Sequence, residues 1–157
     1  MKIKLVVIGK TDERYLSDGI ENYHKRIPHY LPFEYQVIPD LKNTRKLSEE
    51  QQKEKEGELI LGQIKAGDEL ILLDEQGQTF RSTEFARFLE KKMLGGLKTL
   101  VFVIGGPYGF SEAVYQKAAG KVSLSKMTFS HQLVRLVFSE QLYRALTILK
   151  GEPYHHE

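Results

Sequence analysis

An unbroken apolar run that stops at two adjacent glycines places the strongest constraint on the fold of this chain. Residues 100–104 read Leu-Val-Phe-Val-Ile and are followed at once by Gly105 and Gly106. A run without polar alternation is typical of a strand buried on both faces, as in parallel sheets covered by helices. In open sheets of that kind, ligands bind beyond the carboxyl ends of the strands, where glycine lets the backbone approach them. The pattern predicts a site-building loop at 105–109, with an ordinary tight turn as the alternative.

A second segment of the same character lies further along the chain. Residues 123–132 read Ser-Leu-Ser-Lys-Met-Thr-Phe-Ser-His-Gln and precede a long apolar helix. Apolar side chains interleaved with short hydroxyls suit an adenine pocket, in which backbone groups hydrogen-bond to the polar edge of the ring. A strand end followed by a helix cap is the competing interpretation, and Lys126 is the residue it explains least. The Gly-Gly-x-x-Gly spacing at 105–109 differs from the dinucleotide fingerprint, which argues against a nicotinamide enzyme.

The rest of the chain alternates between strand-like and helix-like segments. Ser48 with Gln51 forms a capping box, Ser82 and Ser111 are further N-cap candidates, and Gln76-Gly77 reads as a turn. Strands are predicted at 3–8, 33–38, 69–74, 100–104 and 121–125, and helices at 11–26, 48–65, 82–94, 111–120 and 131–150. The alternation predicts an α/β fold with a mainly parallel sheet flanked by helices. With no repeat or linker, we expect a single domain over 1–157.

Composition narrows the class of protein. The 23 Lys and Arg against 21 Asp and Glu give a formal charge of +2, so RNA would have to be bound by a local patch. The mixed-charge stretch at 42–58 is expected to be solvated surface, with an RNA-gripping loop as the alternative. Cysteine, a membrane-span pattern and a signal-peptide pattern are all absent, so we expect a cytoplasmic protein without membrane contact. No metal site is expected, because the only close histidine pair, His155 and His156, lies at the C-terminus.

The last predicted helix is apolar over more than one face. Its apolar residues cover a wider stripe than a single core contact can absorb: Leu133, Val134, Leu136, Val137, Phe138, Leu142, Ala145, Leu146, Ile148 and Leu149. Such a helix is either central in the fold or shared with a second subunit. We therefore expect a homodimer, whose commonest form is two-fold symmetric.

Polar residues nevertheless follow this helix at i, i+4 spacing, namely His131, Arg135, Ser139 and Tyr143, with Glu140 and Arg144 beside them. Two arginines near a candidate pocket predict phosphate binding, although Glu140 with Arg144 also fits a structural ion pair. The chain then ends in a cluster of aromatic and histidine residues. Tyr154 suits stacking on a base, and the following histidines suit hydrogen bonding to a base edge or a phosphate.

In several motifs together, the chain resembles the ribosomal RNA large subunit methyltransferase H family. The motifs are Phe-Val-Ile-Gly-Gly-Pro-Tyr-Gly at 102–109, Ser-Leu-Ser-Lys-Met-Thr-Phe at 123–129, His-Gln-Leu-Val-Arg at 131–135, Glu-Gln-Leu-Tyr-Arg-Ala at 140–145 and Pro-Tyr-His at 153–155. The resemblance runs the full length, including Val-Val-Ile-Gly-Lys at 6–10 and Lys-Glu-Lys-Glu-Gly at 53–57. It implies a SPOUT-type α/β fold with a C-terminal trefoil knot, acting as a homodimer. It also implies methyl transfer from S-adenosylmethionine to N3 of a pseudouridine in helix 69 of 23S rRNA on the ribosome.

Carried over by position, the family's cofactor contacts fall on Leu73, on Gly105 and on a run of six consecutive residues: Leu124, Ser125, Lys126, Met127, Thr128 and Phe129. The family's tail completes the partner's site, which gives Tyr154 and His155 the catalytic role. Arg135, Arg144 and His156 are the expected substrate contacts. The family usually carries a long basic residue where this chain has His156, and histidine is mostly neutral at pH 7.

The chemistry implied by the resemblance is methyl transfer by positioning, with no metal. The protein must align the base nitrogen with the S–CH₃ bond and help to remove the N3 proton. His155, Glu140 and water are the three candidate proton acceptors. The alternative function is a non-catalytic ribosome-associated RNA-binding module that keeps the fold and lacks the cofactor.

Overall fold

The structure, a computed structural model, describes residues 1–156 and contains one sheet in which every strand pair is parallel. The strands are β1 (Lys2–Ile8), β2 (Phe33–Ile38), β3 (Glu69–Thr79), β4 (Thr99–Ile104) and β5 (Gly120–Ser123). Their order in the sheet is β2-β1-β4-β3-β5. The carboxyl ends of all five therefore point to the same edge, and the α/β prediction is confirmed.

Five helices connect and cover the strands. They are α1 (Arg14–Arg26), α2 (Glu49–Leu61), α3 (Ser82–Leu94), α4 (Glu112–Lys117) and α5 (Leu133–Leu149). Ser48 caps α2 through the predicted capping box, and the Ser111 hydroxyl accepts from the amide of Val114 to cap α4. The predicted cap at Ser82 is wrong by one residue, because α3 begins at Ser82 and Arg81 precedes it as N-cap.

The structure also corrects the predicted turn at Gln76-Gly77. β3 continues through these residues to Thr79, with an irregularity between Leu73 and Gln78, and its second half pairs with β5. A Cβ at Gly77 would lie 2.6 Å from the carbonyl carbon of Lys121. Glycine is needed here because the backbones of β3 and β5 touch, and a close approach of that kind looks like a turn in sequence.

Alternate residues of each strand face two different cores. In β4, Leu100, Phe102 and Ile104 belong to the cluster that includes α3 and α5, whereas Val101 and Val103 belong to the cluster that includes Ile60 of α2 and Val114 of α4. Both faces of the sheet are thus covered by helices, which explains why β4 has no polar position.

The position of α5 accounts for most of its apolar surface within one chain. It packs against both α1 and α3, and Phe138, Leu142, Ala145 and Leu146 are buried. Leu133 is the exposed exception, at 38%. The helix is therefore central, one of the two alternatives that its sequence left open. The homodimer and the trefoil knot stay predictions. Within residues 1–156, no helix has the length and hydropathy to cross a bilayer.

Candidate functional site

Two loops and the irregular middle of β3 border a cavity of about 580 Å³ at the carboxyl edge of the sheet. One loop follows β4 and the other follows β5. The lining comprises Leu73, Asp74, Glu75, Gln76, Ile104, the run 105–110, Tyr115, the run 122–125, the run 127–131 and Val134. The two segments that the sequence singled out therefore meet at one cavity, as parallel strand topology predicts.

Packing from behind fixes the glycine loop. A Cβ on Gly105 would lie 2.9 Å from the ring of Phe110, and one on Gly106 would lie 2.8 Å from a carboxylate oxygen of Glu56. The amide of Gly109 donates to the carbonyl of Gly106 at 3.3 Å, with Gly109 at a φ of 82° that favours glycine. Gly105 and Gly106 are required because protein atoms press on the back of the loop, which leaves its front to form the cavity wall.

Short side chains shape the loop after β5 through local hydrogen bonds. The Ser123 hydroxyl donates to the carbonyl of Ser125 at 2.8 Å, and the Ser125 hydroxyl accepts from the amide of Met127 at 2.9 Å. At the mouth of the cavity, the Thr128 hydroxyl donates to the Glu75 carboxylate at 2.5 Å. Seven of the eight predicted cofactor residues line the cavity. Lys126 is exposed and is not part of the lining, so its predicted contact with the cofactor stays a prediction.

An anchored carboxylate forms part of the polar wall. The Tyr115 hydroxyl donates to Asp74 at 2.6 Å, and the amide of Gln76 donates to the other oxygen of Asp74 at 2.8 Å. Burial, followed by the hydrogen bond to Asp74, raises the pKa of Tyr115 to about 12, so the phenol keeps its proton. Asp74 is therefore held in one orientation by two donors.

The structure contradicts the prediction that Arg135 binds phosphate. Arg135 is 0% exposed, and its guanidinium donates to the carbonyls of Ile8 at 2.7 Å and Gly9 at 2.8 Å. Its Nε donates to the carbonyl of His131 at 3.1 Å. The charge thus fastens the start of α5 to the end of β1, where no solvent-borne phosphate can reach it.

The tail docks on the other end of the same helix. The Tyr154 hydroxyl donates to Glu140 at 3.1 Å, and the guanidinium of Arg144 lies 4.8 Å from the centre of the Tyr154 ring. Arg144 also donates to Glu140 at 2.6 Å and contacts Nδ1 of His155 at 3.0 Å. Burial raises the pKa of Tyr154, and the hydrogen bond to Glu140 raises that of Arg144. We call this set, Glu140, Arg144, Tyr154 and His155, the tail cluster.

Within one chain, the tail cluster and the cavity are separate. No member of the tail cluster lines the cavity, and His156 is exposed. Val134 at the cavity and Arg144 in the cluster are ten positions apart on α5, which corresponds to about 15 Å at 1.5 Å per residue. The structure therefore gathers the predicted cofactor residues and the predicted catalytic residues into two groups without joining them.

Comparison with known proteins identifies the family. A family model described as predicted SPOUT methyltransferase matches residues 1–155. Proteins named ribosomal RNA large subunit methyltransferase H from Parabacteroides distasonis and Flavobacterium johnsoniae are each 64% identical over 157 residues, covering 100% of both chains. The counterpart from Bacteroides fragilis is 57% identical over the same length. The chain belongs to the ribosomal RNA large subunit methyltransferase H family of SPOUT methyltransferases.

A solved structure has a fold similar to that of this chain. A probable methylase family protein from Haemophilus influenzae Rd KW20 matches with a TM-score of 0.51 at 14% identity, covering 99% of this chain and 70% of that chain. At that identity the likeness concerns the fold alone.

The cavity fits the methyl donor expected of a SPOUT methyltransferase. Its apolar wall includes Leu73, Ile104 and Leu124, which suit an adenine ring. Its glycine loop presents backbone at the surface, and Asp74 supplies a fixed hydrogen-bond acceptor. No group of three or more metal-ligating side chains occurs among residues 1–156.

The sequence analysis did not identify Glu56 and Gln132 as residues that shape the site. Glu56 is 4% exposed beneath Gly106, and burial raises the pKa of its carboxyl. Gln132 accepts from the amide of Asp12 at 2.9 Å and donates to the carbonyl of Lys10 at 3.2 Å, tying the loop after β1 to the cavity rim. The Lys-Glu-Lys-Glu-Gly motif at 53–57 was a signal for Glu56, but its charges also fit a solvated helix.

Proposed function

We propose that this chain is an S-adenosylmethionine-dependent methyltransferase that modifies N3 of a pseudouridine in helix 69 of 23S rRNA. The observation that carries the proposal is the cavity, because it unites residues 73–76 of β3 with the loops at 105–109 and 123–131 on one edge of the sheet. The relatives' names state that they act on large-subunit ribosomal RNA. The position of the base and its identity come from the family resemblance in the motifs.

The residues of the chain contribute mainly by position. S-adenosylmethionine supplies a methyl group on a sulfonium that is already reactive. The apolar side chains of Leu73 and Leu124 would enclose the adenine, and the Gly105 backbone would touch the ligand. The walls of the cavity would exclude water from the bound ligand and fix the direction in which its methyl group points. Such alignment lowers the activation barrier by several kcal/mol.

A homodimer is the second part of the proposal, with the tail cluster of one chain completing the cavity of its partner. Two observations support it. The tail cluster is about 15 Å from its own cavity along α5. Two large side chains of the cavity lining are also exposed, namely Met127 at 79% and Tyr108 at 43%. A partner chain or a stacked base would remove that apolar surface from water.

The contacts of the tail cluster narrow the choice of proton acceptor. One oxygen of Glu140 accepts from Arg144 and Tyr154, and the other accepts from Gln141 at 2.9 Å. We therefore assign Glu140 to holding the tail and propose water, or His155 once it is released from Arg144, as the acceptor of the N3 proton. Replacing His155 with Gln separates the two, because a histidine acceptor predicts a large fall in kcat and a water acceptor predicts a small one.

Methylation of assembled large ribosomal subunits, in which the base at the target position of helix 69 is chosen, tests the function. Subunits carrying pseudouridine at the target should gain one methyl group at N3, detected by mass spectrometry of the nucleosides. Matched subunits with uridine there should gain far less. Absence of methylation on both substrates, together with no binding of S-adenosylmethionine by calorimetry, would favour the non-catalytic RNA-binding module.

Mixing two inactive variants of the protein tests whether the tail of one chain completes the cavity of its partner. Deleting 153–157 should abolish methylation and leave most of the cofactor affinity, because the cavity lining is intact. Gly105→Val should abolish cofactor binding and leave the tail intact. Mixed dimers of the two inactive variants should recover part of the activity, because one cavity then combines a good loop with a good tail. If heterodimers form and activity stays absent, the tail acts within its own subunit.

A further inference from the structure

The polar side of the cavity carries negative charge with no basic partner in the lining. Of the described residues that line it, Asp74 and Glu75 are carboxylates, none is Lys or Arg, and His131 is the one histidine. Neither carboxylate takes part in an ion pair within residues 1–156. The contacts made to both are hydrogen bonds from neutral groups.

Asp74 is the more firmly held of the two carboxylates. Tyr115 donates to one oxygen at 2.6 Å and the Gln76 amide to the other at 2.8 Å, whereas Glu75 is exposed and bonds Thr128 at the mouth. The ammonium group of Lys121 lies 5.4 Å from the centre of the Tyr115 ring and makes no ion pair with Asp74. Glu112, which also faces Tyr115, adds a further negative charge behind the wall.

The two forms of the proposed ligand differ in charge. When the base nitrogen forms a bond to the methyl carbon, the S–C bond breaks, its electron pair stays on sulfur, and the N3 proton leaves to the acceptor. The donor carries a sulfonium, an ammonium and a carboxylate, so it is a net cation. The product, S-adenosylhomocysteine, has a neutral thioether in place of the sulfonium and has no net charge.

We propose that Asp74 is a specificity-determining residue that makes the cavity bind the cationic donor more tightly than its uncharged product. The inference rests on the proposed use of S-adenosylmethionine. A cavity with a volume of about 580 Å³ is about as wide as the Debye length, which is about 10 Å in 0.1 M salt. A cation inside the cavity is therefore close enough to a carboxylate in the wall to be attracted by it. Glu75 contributes less because solvent screens an exposed charge.

Calorimetric titration of the wild-type protein and Asp74→Asn tests the inference. We expect Asp74→Asn to weaken binding of S-adenosylmethionine by roughly 10-fold and to change binding of S-adenosylhomocysteine by less than about 2-fold. Sinefungin, which has an ammonium group in place of the sulfonium methyl, should follow the donor. Glu90→Gln removes one exposed charge outside the cavity lining and should change none of the three affinities.

Equal weakening of all three ligands by Asp74→Asn would overturn the inference, because that pattern indicates lost shape or hydrogen bonding. The wild-type protein gives an independent measurement if the variant does not fold. Its preference for donor over product should shrink as salt rises from about 0.05 to 0.5 M, and a preference that does not depend on salt contradicts the proposal. Failure of the wild type to bind any of the three ligands would overturn the proposed methyl donor.

Discussion

The two ends of α5 each carry an arginine, and the two arginines have opposite uses. Arg135, near the cavity, has its guanidinium bound to the carbonyls of Ile8 and Gly9 in the interior. Arg144, near the C-terminus, stays half-buried beside Glu140 and Tyr154. The first end is attached to the sheet and holds the fold, whereas the second end displays a polar cluster at the surface. An arginine next to a cavity is therefore weak evidence for phosphate binding until its exposure is known.

The largest expected effect is on the buried end. Arg135→Met should lower the free energy of unfolding by about 3–5 kcal/mol, because it leaves buried carbonyls without donors. Arg144→Met should cost only about 1 kcal/mol, since its ion pair borders solvent. Urea denaturation of both variants measures the difference. Equal losses would show that the two ends of α5 are held alike.

The next effect concerns the middle of α5, where Ser139 bonds His24 at 2.8 Å. The Ser139 hydroxyl donates to the carbonyl of Arg135, so Nε2 of His24 is the donor to Ser139. Burial lowers the pKa of His24 from 6.5 to about 4, so His24 binds a proton less tightly in the folded state than in the unfolded state. Stability should therefore be lost as pH falls from 6.5 to about 4, by about 3 kcal/mol at most.

Chemical denaturation at a series of pH values measures this dependence. His24→Phe should remove much of the loss between pH 6.5 and 4, whereas His29→Gln, which replaces an exposed histidine, should keep it. An unchanged pH dependence in His24→Phe would assign the acid sensitivity to other groups.

A smaller effect is expected at the cavity wall. Gly105→Ala places a Cβ 2.9 Å from the Phe110 ring, so the loop or the ring must move, at about 1–3 kcal/mol. Affinity for S-adenosylmethionine should fall by roughly 10-fold, since 1.4 kcal/mol is tenfold. The matched control is Gly120→Ala, whose Cβ would meet Ile71 at an ordinary 3.5 Å. Calorimetry should show a loss in the first variant alone.

The smallest effect on stability is expected at the tail. The Tyr30 hydroxyl donates to Glu152 at 2.6 Å, and this bond raises the pKa of Tyr30. Tyr30→Phe should cost about 1 kcal/mol or less, because the bond is exposed. If the bond positions the tail, kcat for methylation should fall while cofactor affinity is unchanged. Tyr15→Phe, at a side chain that is 70% exposed, should alter neither quantity.

The sequence by itself determined the fold class, and it predicted that two loops lie together at one edge of the sheet. The pattern of apolar residues and the turn residues between them predicted all five strands. The unbroken apolar run at 100–104 required helices on both faces of the sheet. Because parallel strands end at one edge, the loops after β4 and β5 had to lie close together. These results follow from local patterns, which the fold then confirms.

Only the tertiary structure decided what individual polar side chains do. The predictions for Arg135 and for Gln76-Gly77 were wrong, because exposure and backbone contact depend on elements distant in sequence. Glu56 lies beneath Gly106 through the packing of α2, and Asp74 is held by Tyr115 of α4, 41 positions away. The hydrophobic pattern specifies which faces are buried, but the partner of a polar group is set by the three-dimensional path of the chain.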